Sequence, residues 1–158
     1  MLLLPQFGGG WTECQVAELS NGSVILTSRN SYGLSSGIGP RLFARSDDGG
    51  VTWVANWSAG LDLPDPYCEA SIIRGGKDDL AALYFANPSS AHSRSNFSIH
   101  RSLDEGRSWP LSRVLYPGGA AYSDISLTKD GKSLAFLFER DNYAHVSFGT
   151  TPLDTVWA

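Results

Sequence analysis

A chain of 158 residues with 42% hydrophobic and 18% charged side chains can build a packed core, which excludes a disordered protein. Its formal charge of −4 offers no basic face for nucleic acid. No apolar run approaches the ~20 residues that a membrane-crossing helix needs, and Met1-Leu2-Leu3-Leu4-Pro5 is too short and uncharged for a signal peptide.

Taken in order, short runs rich in Val, Ile, Leu, Phe and Tyr alternate with clusters of Gly, Asn, Asp, Ser and Pro, the texture of an all-β chain. The expected strands are Cys14–Leu19, Ser23–Ser28, Arg41–Ser46 and Thr52–Asn56, then Glu69–Arg74, Leu80–Phe85, Phe97–Ser102 and Ser108–Val114. A third set holds Ser123–Leu127, Ser133–Glu139 and Ala144–Gly149, and the tail from Pro152 is expected to form a weak turn. Gly60–Pro66 and Pro117–Ala121 separate the sets. Cys14 and Cys68 lack metal-ligand spacing and are expected to be buried free thiols inside strands.

Two octapeptides are near copies, Ser46-Asp47-Asp48-Gly49-Gly50-Val51-Thr52-Trp53 and Ser102-Leu103-Asp104-Glu105-Gly106-Arg107-Ser108-Trp109, and they start 102 − 46 = 56 residues apart. Each falls between the third and fourth strand of its set, and four-stranded units at this period mark propeller blades. The expected fold is therefore about three four-stranded blades of a six-bladed β-propeller, at residues 12–60, 67–116 and 121–150. Within each octapeptide Asp48 and Asp104 suit an Asx-type turn, Gly50 and Gly106 suit positive φ, and Trp53 and Trp109 suit packing against the blade. These carboxylates are structural on this reading.

The octapeptide is the Asp-box, and with it the chain resembles the sialidase (neuraminidase) family. Four further segments carry the resemblance in the order of that family's C-terminal half. Glu13-Cys14-Gln15-Val16-Ala17-Glu18-Leu19 is similar to E-C-Q-x-x-E-L, and Ser28-Arg29-Asn30 to (N/S)-A-R-(N/S). Phe85-Ala86-Asn87-Pro88 with Ser93-Arg94-Ser95-Asn96-Phe97 is similar to S-N-P…R-x-N-L-T. Ala121-Tyr122-Ser123-Asp124-Ile125 followed by Phe138-Glu139 is similar to (G/A)-Y-S-D-L…Y-E.

The resemblance implies an exo-α-sialidase that removes terminal sialic acids from glycoproteins, glycolipids or oligosaccharides with retention. Sialic acid bears a carboxylate on its anomeric carbon, which a guanidinium fork matches with two charge-assisted bonds. Arg29 and Arg94 would be two members of the arginine triad. A neutral phenol avoids the repulsion a carboxylate nucleophile would meet there, but with a pKa near ~10 it needs a base. Tyr122 would be the nucleophile, Glu13 its base, and Glu139 would hold the remaining arginine. Arg29 lies 29 − 13 = 16 residues after Glu13 and Glu139 lies 139 − 122 = 17 after Tyr122, so the repeat itself places these pairs at equivalent positions on different blades.

Other candidates are weaker. Glu69 sits one repeat after Glu13 and could line the pocket, while Glu18 reads as an edge group. His92, His100 and His145 lack ligand spacing, Asp47-Asp48 and Asp78-Asp79 are turn acids, and no metal or organic cofactor is expected. The family's first arginine and acid/base aspartate belong to its N-terminal half, and Gly39-Pro40-Arg41 sits in the wrong blade to replace the former. The chain is thus expected to be a C-terminal part, inactive alone, whose partners are sialylated glycans and the missing N-terminal half of the propeller. A non-catalytic Asp-box propeller that binds carbohydrate or protein, and a trans-sialidase, are the alternatives. Asn21-Gly22-Ser23, Asn56-Trp57-Ser58 and Asn96-Phe97-Ser98 are sequons that lean weakly toward a lysosomal or secreted protein.

Overall fold

The computed structural model describes residues 10–32, 41–55 and 63–157. The strands are β1 (Trp11–Glu18), β2 (Val24–Asn30), β3 (Arg41–Ser46), β4 (Val54–Ala55), β5 (Ser71–Gly75), β6 (Ala82–Pro88), β7 (Ser95–Ser102), β8 (Leu111–Leu127), β9 (Ser133–Arg140) and β10 (His145–Pro152). All neighbouring strands pair antiparallel. One 3₁₀ turn, Asp78–Leu80, precedes β6 among the described residues.

β1–β4 form one meander and β5–β10 another of six strands. β8 serves twice: its first half pairs with β7 and its second half with β9. The chain thus folds as three successive antiparallel sheets of four, four and three strands, with β8 shared by the second and third. The expected crossing at Pro117–Ala121 falls inside β8, which changes partner there without stopping. Pro117 has no N–H to withhold from a ladder. A Cβ at Gly118 would lie 2.5 Å from the Tyr116 hydroxyl oxygen and 2.6 Å from its ring, so a larger residue there would have to displace that side chain.

Two other expected strands shift for local reasons. Thr52 and Trp53 are taken up by turn hydrogen bonds, which shortens Thr52–Asn56 to Val54–Ala55, with Asn56 outside the described residues. The start of Leu80–Phe85 is instead the end of the 3₁₀ turn, and β6 runs on to Pro88. The tail from Leu153 to Trp157 is turn, as expected.

The sheets are held together by their two apolar faces. Leu83 and Phe85 of β6 pack with Ile25 and Phe43 of the first sheet, with Ile72 and Trp109 completing that cluster. Tyr84 and Ala86, which alternate with them, pack with Ile125, Leu134 and Phe138 of the third. A strand buried on both faces reads as an unbroken apolar run, and all of Ala82–Pro88 is buried. Side chains also stitch the inner strands: Gln15 Oε1 accepts the Ile72 N–H at 3.0 Å and Ser71 Oγ accepts the Ile125 N–H at 3.3 Å.

The two octapeptides fold alike. Ser46 Oγ accepts the Gly50 N–H at 2.8 Å and Ser102 Oγ the Gly106 N–H at 2.9 Å. Asp48 accepts from the Thr52 N–H and hydroxyl at 2.8 and 2.6 Å, and Asp104 from those of Ser108 at 2.9 and 2.6 Å. Gly50 and Gly106 have φ of 92° and 83°. Glu105, between Asp104 and Gly106, ties the sheets by accepting from Ser20 in the β1–β2 turn and from Arg74 of β5.

Candidate active site

Glu13 and Tyr122 are both delivered by β-bulges. Between Thr12↔Arg29 and Gln15↔Thr27, residues 13 and 14 face the single residue Ser28. Between Ala120↔Arg140 and Ser123↔Phe138, residues 121 and 122 face the single residue Glu139. An extra residue bends the strand and re-aims its side chain. Glu13 adopts φ 50°, and Ser28 Oγ accepts the Thr12 N–H at 2.9 Å, which pins the first bulge. Glu139 Oε2 accepts the Tyr122 N–H at 3.2 Å at the second.

These bends bring the two side chains together. The Tyr122 hydroxyl donates to Glu13 Oε1. Arg29, cross-strand from Thr12, places Nη1 3.1 Å from the same oxygen and 3.3 Å from Glu13 Oε2, while its buried Nε has no protein acceptor. Arg94 enters from the segment before β7, with its guanidinium carbon 5.7 Å from the centre of the Tyr122 ring. That contact is a cation–π geometry. Its Nη1 donates to the Tyr143 hydroxyl at 2.7 Å. The other four residues expected from the sequence, Glu13, Arg29, Arg94 and Glu139, therefore gather around Tyr122. Tyr143 had no motif to reveal it. It rides on the β9–β10 hairpin, where Asp141, Asn142 and Tyr143 all have positive φ.

Electrostatics follow from these contacts. The hydrogen bond to Glu13, with burial adding, holds the Tyr122 phenol above its ordinary range. Burial pushes the Glu69 carboxyl up to about 7, against the pull of the Ser123 N–H and Arg41. Glu69 does face the site: with Gln15, Tyr122, Leu137, Glu139 and Val146 it lines a cleft of about 390 Å³. Cys14 is exposed, contrary to expectation, because it shares the first bulge; Cys68 is buried, but in the loop ahead of β5 rather than in a strand. Burial holds the Cys68 thiol up at about 11, where it stays protonated.

Arg41 is no substrate group. Its guanidinium is fully buried against Asp65 at 2.6 Å and also donates to the Cys68 carbonyl. Asn87 donates to Asp65 at 3.2 Å and meets His100 Nε2 at 3.1 Å through Oδ1. This buried polar network braces the loop that leads to Glu69.

No protein-family model matches the chain. Over 130 residues it is 40% identical to a sialidase of Micromonospora viridifaciens, covering 78% of this chain and 19% of that protein. Over 152 residues it is 34% identical to a sialidase of Bacteroides fragilis, covering 92% of this chain and 27% of that one. Among solved structures, a Hadza microbial sialidase superposes with a TM-score of 0.79 at 30% identity, over 93% of this chain and 28% of that chain. The architecture is accordingly that of an all-β, sialidase-like propeller, present as about three blades. The chain belongs to the sialidase family. It spans between a fifth and just over a quarter of the length of these relatives.

Proposed function

We propose that this chain supplies part of the catalytic centre of an exo-α-sialidase acting on sialylated glycoconjugates, with its blades at 12–60, 67–116 and 121–150. The observation that supports this most is the hydrogen bond from the Tyr122 phenol to the Glu13 carboxylate, with two guanidinium groups beside it. Arg29 and Arg94 are the receptors for the substrate carboxylate. Tyr122 Oη attacks the anomeric carbon as the glycosidic C–O bond breaks, and its proton passes to Glu13. The departing oxygen takes its proton from an acid in the remaining blades. Water then attacks the anomeric carbon as the tyrosyl–sugar bond breaks, giving its proton to the conjugate base of that acid while Glu13 returns the phenol proton to Tyr122, which gives net retention. Glu139 holds the Tyr122 bulge and the third arginine. The remaining blades pack on the third sheet's exposed face, and this chain alone turns over no substrate. A purely binding propeller would have no use for a carboxylate paired to a phenol between two arginines.

The test is binding of 2,3-unsaturated sialic acid, followed by calorimetry or NMR, to this chain and to the Arg29→Ala, Arg94→Ala double variant. Binding by the first and at least tenfold weaker binding by the second is expected, since one charge-assisted hydrogen bond is worth about 1.5–3 kcal/mol. Equal binding by both, or none by a folded chain, would sink the assignment.

A further inference from the structure

Among the described residues no strand lies against the inner edge of β8 beyond Tyr122, and N–H groups there are met by side chains from β5 and the loop ahead of it. Glu69 Oε2 accepts the Ser123 N–H at 2.9 Å, and two residues on Ser71 Oγ accepts the Ile125 N–H at 3.3 Å. With Glu139 on the Tyr122 N–H, the consecutive N–H groups of Tyr122 and Ser123 are each held by a carboxylate. Joining sheets does not require a charge: the neutral amide of Gln15 does the same work on Ile72. A partly buried carboxylate at residue 69 carries a larger desolvation cost than that amide does.

Charged groups from three elements act on Glu69, and Tyr122 and Glu139 line the cleft beside it. Glu13 of β1 and Asp124 of β8 oppose its charge, whereas Arg41 of β3 and the Ser123 N–H favour it. Burial outweighs the favourable pair, so the group titrates at about 7, where the charge can be present or absent near neutrality. An ionised acceptor holds an N–H roughly twice as strongly as a neutral one.

We infer that Glu69 is a positioning residue for Tyr122: from the loop ahead of β5 it clamps the segment that projects the phenol, and its proton sets the strength of the clamp. The role rests on Tyr122 being the reacting group proposed above, but the clamp itself is read without substrate.

The experiment is an NMR titration of the ¹⁵N-labelled chain carrying ¹³C-labelled tyrosine, with Tyr122→Phe used to assign the ring. The Ser123 amide and the Tyr122 ring should shift together with a midpoint of about 7. Glu69→Gln should flatten both curves while leaving the Ile72 amide, held by Gln15, in place as a marker of intact fold. Glu69→Ala should speed hydrogen exchange at Ser123 by about tenfold relative to Ile72, the loss expected for one hydrogen bond to a charged group. A Ser123 amide that does not titrate, or a midpoint that persists in Glu69→Gln, overturns the inference. Titration at Ser123 without binding of unsaturated sialic acid would leave the clamp standing and remove the proposed function instead.

Discussion

Tyr122 is held from three directions: Glu13 on its hydroxyl, Glu139 on its backbone N–H and Arg94 over its ring. Because the Glu13 hydrogen bond is the largest cause of its raised pKa, Glu13→Gln should let the phenol ionise at lower pH, nearer the ordinary ~10. An alkaline ultraviolet titration, taken as the difference from Tyr122→Phe, measures this; an unchanged midpoint would mean the bond is not present in solution. His100 makes the opposite kind of prediction, one about stability. Its burial lowers the pKa from 6.5 to about 4, so the native ring is neutral while the unfolded one protonates. Stability is therefore lost as pH falls from 6.5 towards 4, by up to about 3 kcal/mol. His100→Asn should flatten that limb of a denaturation series. Glu69 works the other way, since its raised pKa contributes stability at acid pH that is lost as pH rises through about 7. The two slopes are separable by variant.

Among the elements, the turns were legible and the bulges were not. Ser, Asp, Gly and Trp at fixed offsets specify a local hydrogen-bond pattern, and both copies form it with the same partners. What each turn packs against is a tertiary matter. A side chain at Gly106 would meet Ile25 Cδ1 at 2.7 Å across the sheet boundary, whereas one at Gly50 finds only Trp53 at 3.7 Å. Both glycines carry positive φ, so Gly50→Ala should cost ~1–3 kcal/mol from backbone strain alone. Gly106→Ala should cost ~1–3 kcal/mol more for overpacking. Chemical denaturation of the two variants gives the difference; equal costs would refute the inter-sheet contact. The bulges at Glu13 and Tyr122 leave no comparable trace, because an extra residue in one strand has meaning only against its partner's register. Shared strand β8 escaped for the same reason: Pro117-Gly118-Gly119 is breaker chemistry locally and strand only because partners wait on both sides.

Over the whole molecule, the third sheet shows to solvent the face that its predecessors bury. The pair Phe148↔Leu137 occupies the register of Ile99↔Ala86, and Val146 that of Phe97. Phe97 and Ile99 are fully buried, while Val146 and Phe148 are 68% and 73% exposed. Such a face seeks cover. This chain should self-associate as its concentration rises, and Phe148→Ser should weaken that by sedimentation velocity without changing the fold; a strictly monomeric parent would contradict it. Ile99→Ser, at the equivalent buried place, should instead unfold the chain. Composition, strand texture and the repeated octapeptide pointed to an all-β array, while Glu13, Arg29, Arg94, Tyr122 and Glu139 were marked by what the short segments holding them resemble. These are properties of short segments, and local hydrogen bonding and periodicity write them into the chain. The tertiary structure alone decided that two bulges aim Glu13 and Tyr122 at each other, that Arg41 is spent on a buried partner, and that Tyr143 and Glu69 join the site. Each of those depends on which strands meet and in what register, and register is the sum of contacts between residues far apart in sequence.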